Sequence, residues 1–244
     1  MIKRTNQKIL FIFIILMILI KTVFAQNNEE SVMKEAFDRF SKSPFSSIYS
    51  TGGAFYSGDD VDQMPMLINY YMNGTSKYLK AVDGLFGGAI MDAQVIRNQM
   101  TLNIAEEDAP INGNFNTFSL EAPIMRFPKV YADILDYKFI DLNKTIVSSN
   151  ITLGNNWHTL KIEYRDRIDT IVFSASSYRI RNMSVSFMNN LVDITLGSYT
   201  TVNNIPYPKE FIIKSSSDKR ELRYNITNVL TGNGAKREAG KLGW

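Results

Sequence analysis

Only one residue in this chain could act as a conventional base near neutral pH. His158 is the sole histidine among 244 residues, and a Ser-His-Asp or Cys-His site needs such a base. It stands beside Trp157 at the start of a run with strand periodicity, where a partly buried strand-edge histidine is the ordinary reading. A His-rich zinc site is impossible. There is no cysteine, which removes disulfides, thiol catalysis and Cys-ligated metals. Asp59-Asp60-Val61-Asp62 concentrates carboxylates but lacks the spaced ligands, glycine and distal glutamate of a calcium loop. After Gly58 it reads as a polar hairpin turn. Asp83-Gly84-Leu85-Phe86-Gly87-Gly88 has no following Lys-Ser/Thr and is no P-loop. Its glycines suit a tight turn or bulge, and the Leu85-Phe86 tip is expected to pack into the core. Carboxylates are numerous enough for a glycosidase pair, but no spacing singles out two. No catalytic residue, cofactor or metal ligand is assigned.

The elements around these residues begin with a targeting segment. Lys3, Arg4 and Lys8 precede an apolar run from Ile9 to Ile20, and Val23-Phe24-Ala25 then offers a cleavage site. That order is a secretory signal, and the run is shorter than the roughly 20 residues of a membrane helix. Residues 1–25 are therefore read as signal peptide, 26–231 as one domain and 232–244 as a flexible tail, because GNGAKREAGKLGW is Gly-rich and charged. Without the four basic residues of the signal, 23 basic residues stand against 24 acidic ones, a balance of −1. No concentrated basic footprint for nucleic acid remains. The missing cysteine also excludes a lipobox, so the exported chain is not itself a bacterial lipoprotein.

Residues 29–42 carry one apolar helical stripe of Met33, Ala36, Phe37 and Phe40, with Ser43-Pro44 as its stop. Period-two alternation dominates thereafter. Met66, Ile68, Tyr70 and Met72 share a face, as do Ile96, Met100, Leu102 and Ile104. Leu160, Ile162 and Tyr164 form another such set, as do Val192, Ile194 and Leu196, and then Leu222, Tyr224 and Ile226. Ile171 and Phe173 follow a turn at Asp166. Further strands are expected at 48–57, 76–82, 146–153, 178–188 and 208–215. Ile180 falls out of phase with Met183, Val185 and Phe187, which calls for a bulge. Residues 105–117 read as a loop. Ser119 can cap a helix at 120–126, and Pro128 can open a second at 128–139. Ten or eleven strands with short turns make a strongly curved meander or barrel, a mainly β (α+β) fold.

The final stretch reads Ser198-Tyr199-Thr200-Thr201-Val202-Asn203-Asn204-Ile205-Pro206-Tyr207-Pro208-Lys209-Glu210-Phe211-Ile212-Ile213-Lys214, then Leu222-Arg223-Tyr224-Asn225-Ile226. With the order of helix, meander, helical interlude and meander, this resembles the LolA/LolB-like superfamily of periplasmic lipoprotein carriers and outer-membrane lipoprotein-sorting proteins. Pro208, Phe211 and Ile213 match its "P-x-x-apolar-x-apolar" strand opening, and the likeness covers 31–230. The resemblance implies a curved antiparallel sheet forming an incomplete barrel with an N-terminal helix and a helical lid. It implies a soluble periplasmic carrier, partners in lipoprotein or lipid acyl chains, and membrane-bound donor and acceptor proteins. An adaptable apolar pocket suits the nine Met and 12 Phe that follow the signal.

The interior expected from strand parity comprises Met66, Ile68, Tyr70, Met72, Met100, Leu102, Ile162, Tyr164, Ile194, Leu196, Leu222 and Tyr224. Residues 119–139, with helix 29–42, are expected to close over it through Ile124, Phe127, Tyr131 and Leu135. Apolar contacts alone would hold that lid. The rival reading is a secreted β-rich structural or protein-interaction domain with a self-packed sheet face and no lipid cargo. The targeting segment itself makes a direct expectation. Exported protein should begin at Gln26 by mass spectrometry, and an N-terminus at Met1 would overturn the signal assignment.

Overall fold

The computed structural model describes residues 28–58, 61–105, 108–115, 128–187, 190–216 and 220–244. Six strands form a first meander: β1 (Ser47–Gly58), β2 (Val61–Asn73), β3 (Ser76–Asp83), β4 (Ala89–Ile96), β5 (Gln99–Ile104) and β6 (Ile111–Asn114). Seven form a second: β7 (Ile146–Thr152), β8 (Trp157–Tyr164), β9 (Arg167–Ser174), β10 (Ile180–Phe187), β11 (Asn190–Val202), β12 (Ile205–Ser215) and β13 (Glu221–Thr231). All thirteen join one antiparallel sheet in the order β6-β5-β4-β3-β2-β1-β13-β12-β11-β10-β9-β8-β7. The sheet is curved and not closed. Strand alternation builds it as expected: along β8, His158, Leu160, Ile162 and Tyr164 are buried while Trp157, Lys161 and Glu163 are exposed.

The two meanders meet where β1 pairs with β13. Register shifts there between Thr51 and Gly52. A Cβ on Gly52 would lie 2.1 Å from the Asn225 carbonyl oxygen. Only glycine lets the two backbones approach that closely.

β6 and β7 are successive strands at opposite edges of the sheet. The intervening chain must therefore cross the molecule. It contains helix α2 (Pro128–Leu135), and it crosses on the face that also carries helix α1 (28–40). Ala36 and Phe40 of α1 are buried there, together with Ile134 and Leu135 of α2. The carbonyl oxygen of Phe40 accepts the N–H groups of Phe139 (2.7 Å) and Ile140 (2.9 Å). The crossover thus satisfies an orphan carbonyl at the end of α1.

Several expectations are corrected. Residues 105–117 are not all loop, since β6 pairs with β5 through Leu102 and Ile111. One strand through Ile96 and Met100 is instead a hairpin. Arg97 and Asn98 have φ of 48° and 67°, the signature of a two-residue primed turn. The turn pairs Ile96 with Gln99, which puts Ile96 on the opposite face from Met100, 45% exposed. Leu85 and Phe86 are 72% and 88% exposed rather than packed. Asp83 Oδ1 accepts both their N–H groups, so the turn is closed by its own backbone and projects off the sheet end. α2 stops at Leu135 rather than continuing to 139. The helix expected at 120–126 and the Asp59-Asp60 turn lie outside the described residues. The bulge near Ile180 is present, as a register shift between Ile180 and Asn182.

The tail is also ordered differently from expectation. Residues Gly232–Lys241 form helix α3. Ala235 and Ala239, one helical turn apart and fully buried, pack on Tyr49 and Tyr71 on the outer face of β1 and β2. Tyr71, Tyr78 and Trp244 stack beside them at 6.1 and 5.8 Å. Two alanines make too narrow a stripe to stand out in a Gly-rich, charged sequence.

The seam between the meanders supplies a test. Gly52→Ala should destabilise the protein by about 3 kcal/mol, because neither backbone can yield without breaking the β1–β13 ladder. Chemical denaturation measures it, and an unchanged midpoint would show that the seam tolerates a side chain.

Candidate functional site

The inner face of the sheet gathers the residues expected there. Met66, Ile68, Tyr70, Met72, Met100, Leu102, Ile162, Tyr164, Ile194, Leu196, Leu222 and Tyr224 all belong to one buried apolar cluster. Leu135 joins them from α2 at 0% exposure. Ile124 and Phe127 lie outside the described residues. Tyr131 lies in α2, but its side chain is not among those described. Register explains the assembly: Ile68 stands beside Ala81 and Ala81 beside Met91, while Tyr70 stands beside Leu79 and Leu79 beside Ala93.

The face has two chemically different halves. On β1–β5 it is rich in methionine and alanine, with Met66, Met72, Met91, Met100, Ala54, Ala81 and Ala93 beside Ile68, Tyr70, Leu79, Val95 and Leu102. Thioethers are flexible and alanines leave shallow ground between them. On β8–β13 it is richer in rings, with Phe173, Tyr207, Phe211 and Tyr224 among Ile, Leu and Val. Phe40 of α1 meets Phe173 and Phe139 edge-on at 5.4 and 6.2 Å. Parity had marked parts of both halves. It did not mark the alanines, whose small side chains give no periodic signal.

Polar atoms are placed sparingly on this face, mostly where the crossover lands. Asp136, just past α2, is buried at 1% exposure. Tyr70 donates its hydroxyl to Asp136 Oδ1 at 2.6 Å, and the Lys77 ammonium pairs with Oδ2. Tyr207 donates to the Leu135 carbonyl oxygen at 2.8 Å. Further along, the N–H of Asp141 donates to the Tyr164 hydroxyl at 3.2 Å. The lid helix is therefore tied at its C-terminal end by directional bonds. This corrects the expectation that apolar contacts alone hold it. Nothing in the sequence flagged Asp136, since a polar residue at a helix end is ordinarily solvated.

Burial raises the Asp136 carboxyl above the usual carboxylate range, with Lys77 and Tyr70 opposing the shift. Burial likewise pushes the Tyr137 and Tyr164 phenols up to about 12, so both act as neutral hydrogen-bonding groups. On β9, Arg167 Nη2 donates to Asp169 Oδ2 at 2.8 Å, and its guanidinium lies 4.9 Å from the Tyr164 ring centroid. His158 is buried with its ring edge-on to Phe173 at 5.5 Å. Among the described residues, no group of three or more His, Asp or Glu could hold a metal ion. The inner face is thus an apolar surface with few polar groups.

The polar tie gives a second test. Lys77→Met should leave a buried carboxylate without its cation and cost about 3 kcal/mol. The sign with pH follows from the raised carboxyl. Its contribution is fully present below the unfolded carboxyl range and is lost as pH rises through the raised folded value. The Lys77→Met defect should therefore grow across that window. Adding Asp136→Asn should recover part of the loss and flatten the pH dependence. Denaturation of the unaltered protein and the two variants from pH 4 to 8 measures it; an equal loss at every pH would sink the coupling.

No protein-family profile matches the sequence, and no curated protein matches it. Solved structures do match in shape. A LolA superfamily protein from Nitrosomonas europaea is 8% identical with a TM-score of 0.58, covering 84% of this chain and 93% of that one. An outer membrane lipoprotein-sorting protein domain from Vibrio parahaemolyticus is 9% identical with a TM-score of 0.57, covering 87% and 98%. A DUF1329 family protein from Desulfovibrio piger is 8% identical with a TM-score of 0.54, covering 77% and 86%. The fold of this protein is LolA-like.

Proposed function

We propose that the protein is an exported, periplasmic carrier that sequesters the acyl chains of lipids or lipoproteins without covalent chemistry. One observation carries this reading. A single apolar face runs from β2 to β13 and is covered by helices and a crossover rather than by a second sheet. An acyl chain laid on such a face gains about 0.8 kcal/mol per buried CH₂. The methionine and alanine half is the part that receives it, because those side chains can re-pack around a chain of variable shape. The two LolA-type neighbours support the reading through their names, one of which concerns lipoprotein sorting. Donor and acceptor proteins at the membrane would complete such a cycle.

A second reading has one observation of its own. Nearly every inner-face residue named above is less than about a twentieth exposed, as in a self-packed β-domain that binds no lipid. Ala81→Phe separates the two. On the carrier reading the ring fills space meant for cargo, so a fluorescent fatty-acyl probe should bind at least about tenfold more weakly while the melting temperature stays within a few degrees. On the self-packed reading the unaltered protein shows no saturable probe binding, and the added ring overpacks the core and lowers the melting temperature sharply. Native mass spectrometry of the exported protein should also show co-purifying lipid.

A further inference from the structure

A concavity lies at the rim of the inner face described above, with Phe40 and Tyr137 of the buried cluster in its wall. It sits between the end of α1, the stretch after α2, the β9–β10 turn and the β11–β12 turn, with a volume of about 140 Å³. A cavity of about 150 Å³ holds one benzene ring, so this one has room for a single ring. Its walls include Phe40, Pro44, Tyr137, Tyr178 and Pro206.

Two of these residues are held in unusual backbone conformations. Tyr137 has φ 57° and Tyr178 has φ 55°, a region bulky side chains rarely adopt. Tyr137 occupies the position after α2 where the N–H of Lys138 returns to the Asp133 carbonyl and that of Tyr137 to Ile134. Glycine or asparagine ordinarily fills that place. Both strained tyrosines line the same cavity, and such outliers cluster at ligand sites.

Charge at the rim selects the ligand further. The Arg39 guanidinium lies 4.5 Å from the Tyr178 ring centroid. It donates Nε and Nη2 to Glu35 Oε1, while Tyr178 donates its hydroxyl to Glu35 Oε2. Arg179 follows Tyr178 directly and lies 5.8 Å from the Tyr199 ring. Both guanidinium groups act on the Tyr137 phenol, opposing the effect of its burial. One cation, Arg39, thus stands on the wall of an aromatic-lined hole, held there by Glu35.

We propose that this cavity, at the rim of the inner face, is a binding site for one aromatic ring carrying a nearby carboxylate. The ring is taken between the tyrosines, Phe40 and the prolines. The carboxylate meets Arg39 at the rim, sharing its guanidinium with Glu35. The site does not depend on the carrier reading, since its ligand is a single ring with a carboxylate and not an acyl chain.

The probe is 3-phenylpropanoate, titrated into the whole protein by isothermal calorimetry and ligand-observed NMR. Saturable millimolar binding is expected, as so small a ligand allows. 3-Phenylpropanol should bind about tenfold more weakly, the worth of one charge-assisted hydrogen bond, and propanoate should not bind. Arg39→Met should erase the difference between acid and alcohol, and Ser177→Phe, which fills the hole, should abolish both. A fluorescent acyl probe, where it binds, should not be displaced. Absence of saturable binding, equal affinity for acid and alcohol in the unaltered protein, an unaffected Arg39→Met variant, or displacement of the acyl probe would each overturn the proposal. Should Ser177→Phe fail to fold, the Arg39→Met comparison decides alone.

Discussion

The chain has to cross its own sheet. β6 ends the first meander at one edge and β7 begins the second at the other, so the connection spans the inner face. A crossover of this kind brings backbone polar groups over an apolar surface, where each one left unpaired would be costly. The answer lies at the C-terminal end of α2. The Leu135 carbonyl, orphaned by the helix end, takes the Tyr207 hydroxyl. Asp136 takes Tyr70 and Lys77. The next N–H groups turn back to Asp133 and Ile134, and those of Phe139 and Ile140 go to Phe40. Removing this set of bonds would leave the mouth of the sheet without a seated cover, so the burial of both halves of the inner face depends on it.

The alternation of the long strands was legible because each buries one face and wets the other, which writes a period of two into the sequence. That is why Met66 through Met72 and Leu160 through Tyr164 were assigned to the interior correctly. Parity fails wherever the chain reverses without a recognisable turn residue. Arg97-Asn98 contains no glycine, and reading through it placed Ile96 on the wrong face. β6, only four residues long, alternates too briefly to be seen. α3 rests on two alanines. The fold class and most of the inner face could therefore be read from side-chain pattern, whereas strand count, the crossover's anchorage and the rim cavity depend on backbone geometry and on contacts between residues far apart in the chain.

Taking a carboxylate and an ammonium out of water costs several kcal/mol per ion, and their attraction seldom repays more than that. The Lys77–Asp136 pair is thus poor evidence for stability, in keeping with a carboxyl that burial raises despite its cation. What such a pair does is penalise alternatives. If the crossover shifted by one residue, Asp136 would lose its bonds to Tyr70 and Lys77. Apolar packing is tolerant of small slips; directional bonds are not. The pair and the two tyrosines therefore fix where α2 lands.

That distinction separates fixed parts of the inner face from parts that can yield. An acyl chain offers the same non-directional burial as a side chain, so it can compete with apolar contacts but not with the hydroxyl and carboxylate bonds at the end of α2. The aromatic half is further restrained by the edge-on packing of Phe40 against Phe173 and Phe139. The half on β1–β5 carries the buried methionines Met66, Met72, Met91 and Met100. Met side chains change rotamer at small cost, and Ala81 and Ala93 present little volume to displace. On the carrier reading, cargo is accommodated where the surface is held only by dispersion and hydrophobic burial. The polar anchor keeps the cover attached throughout, so binding and release need a local re-packing of thioethers rather than an unfolding of the lid helix.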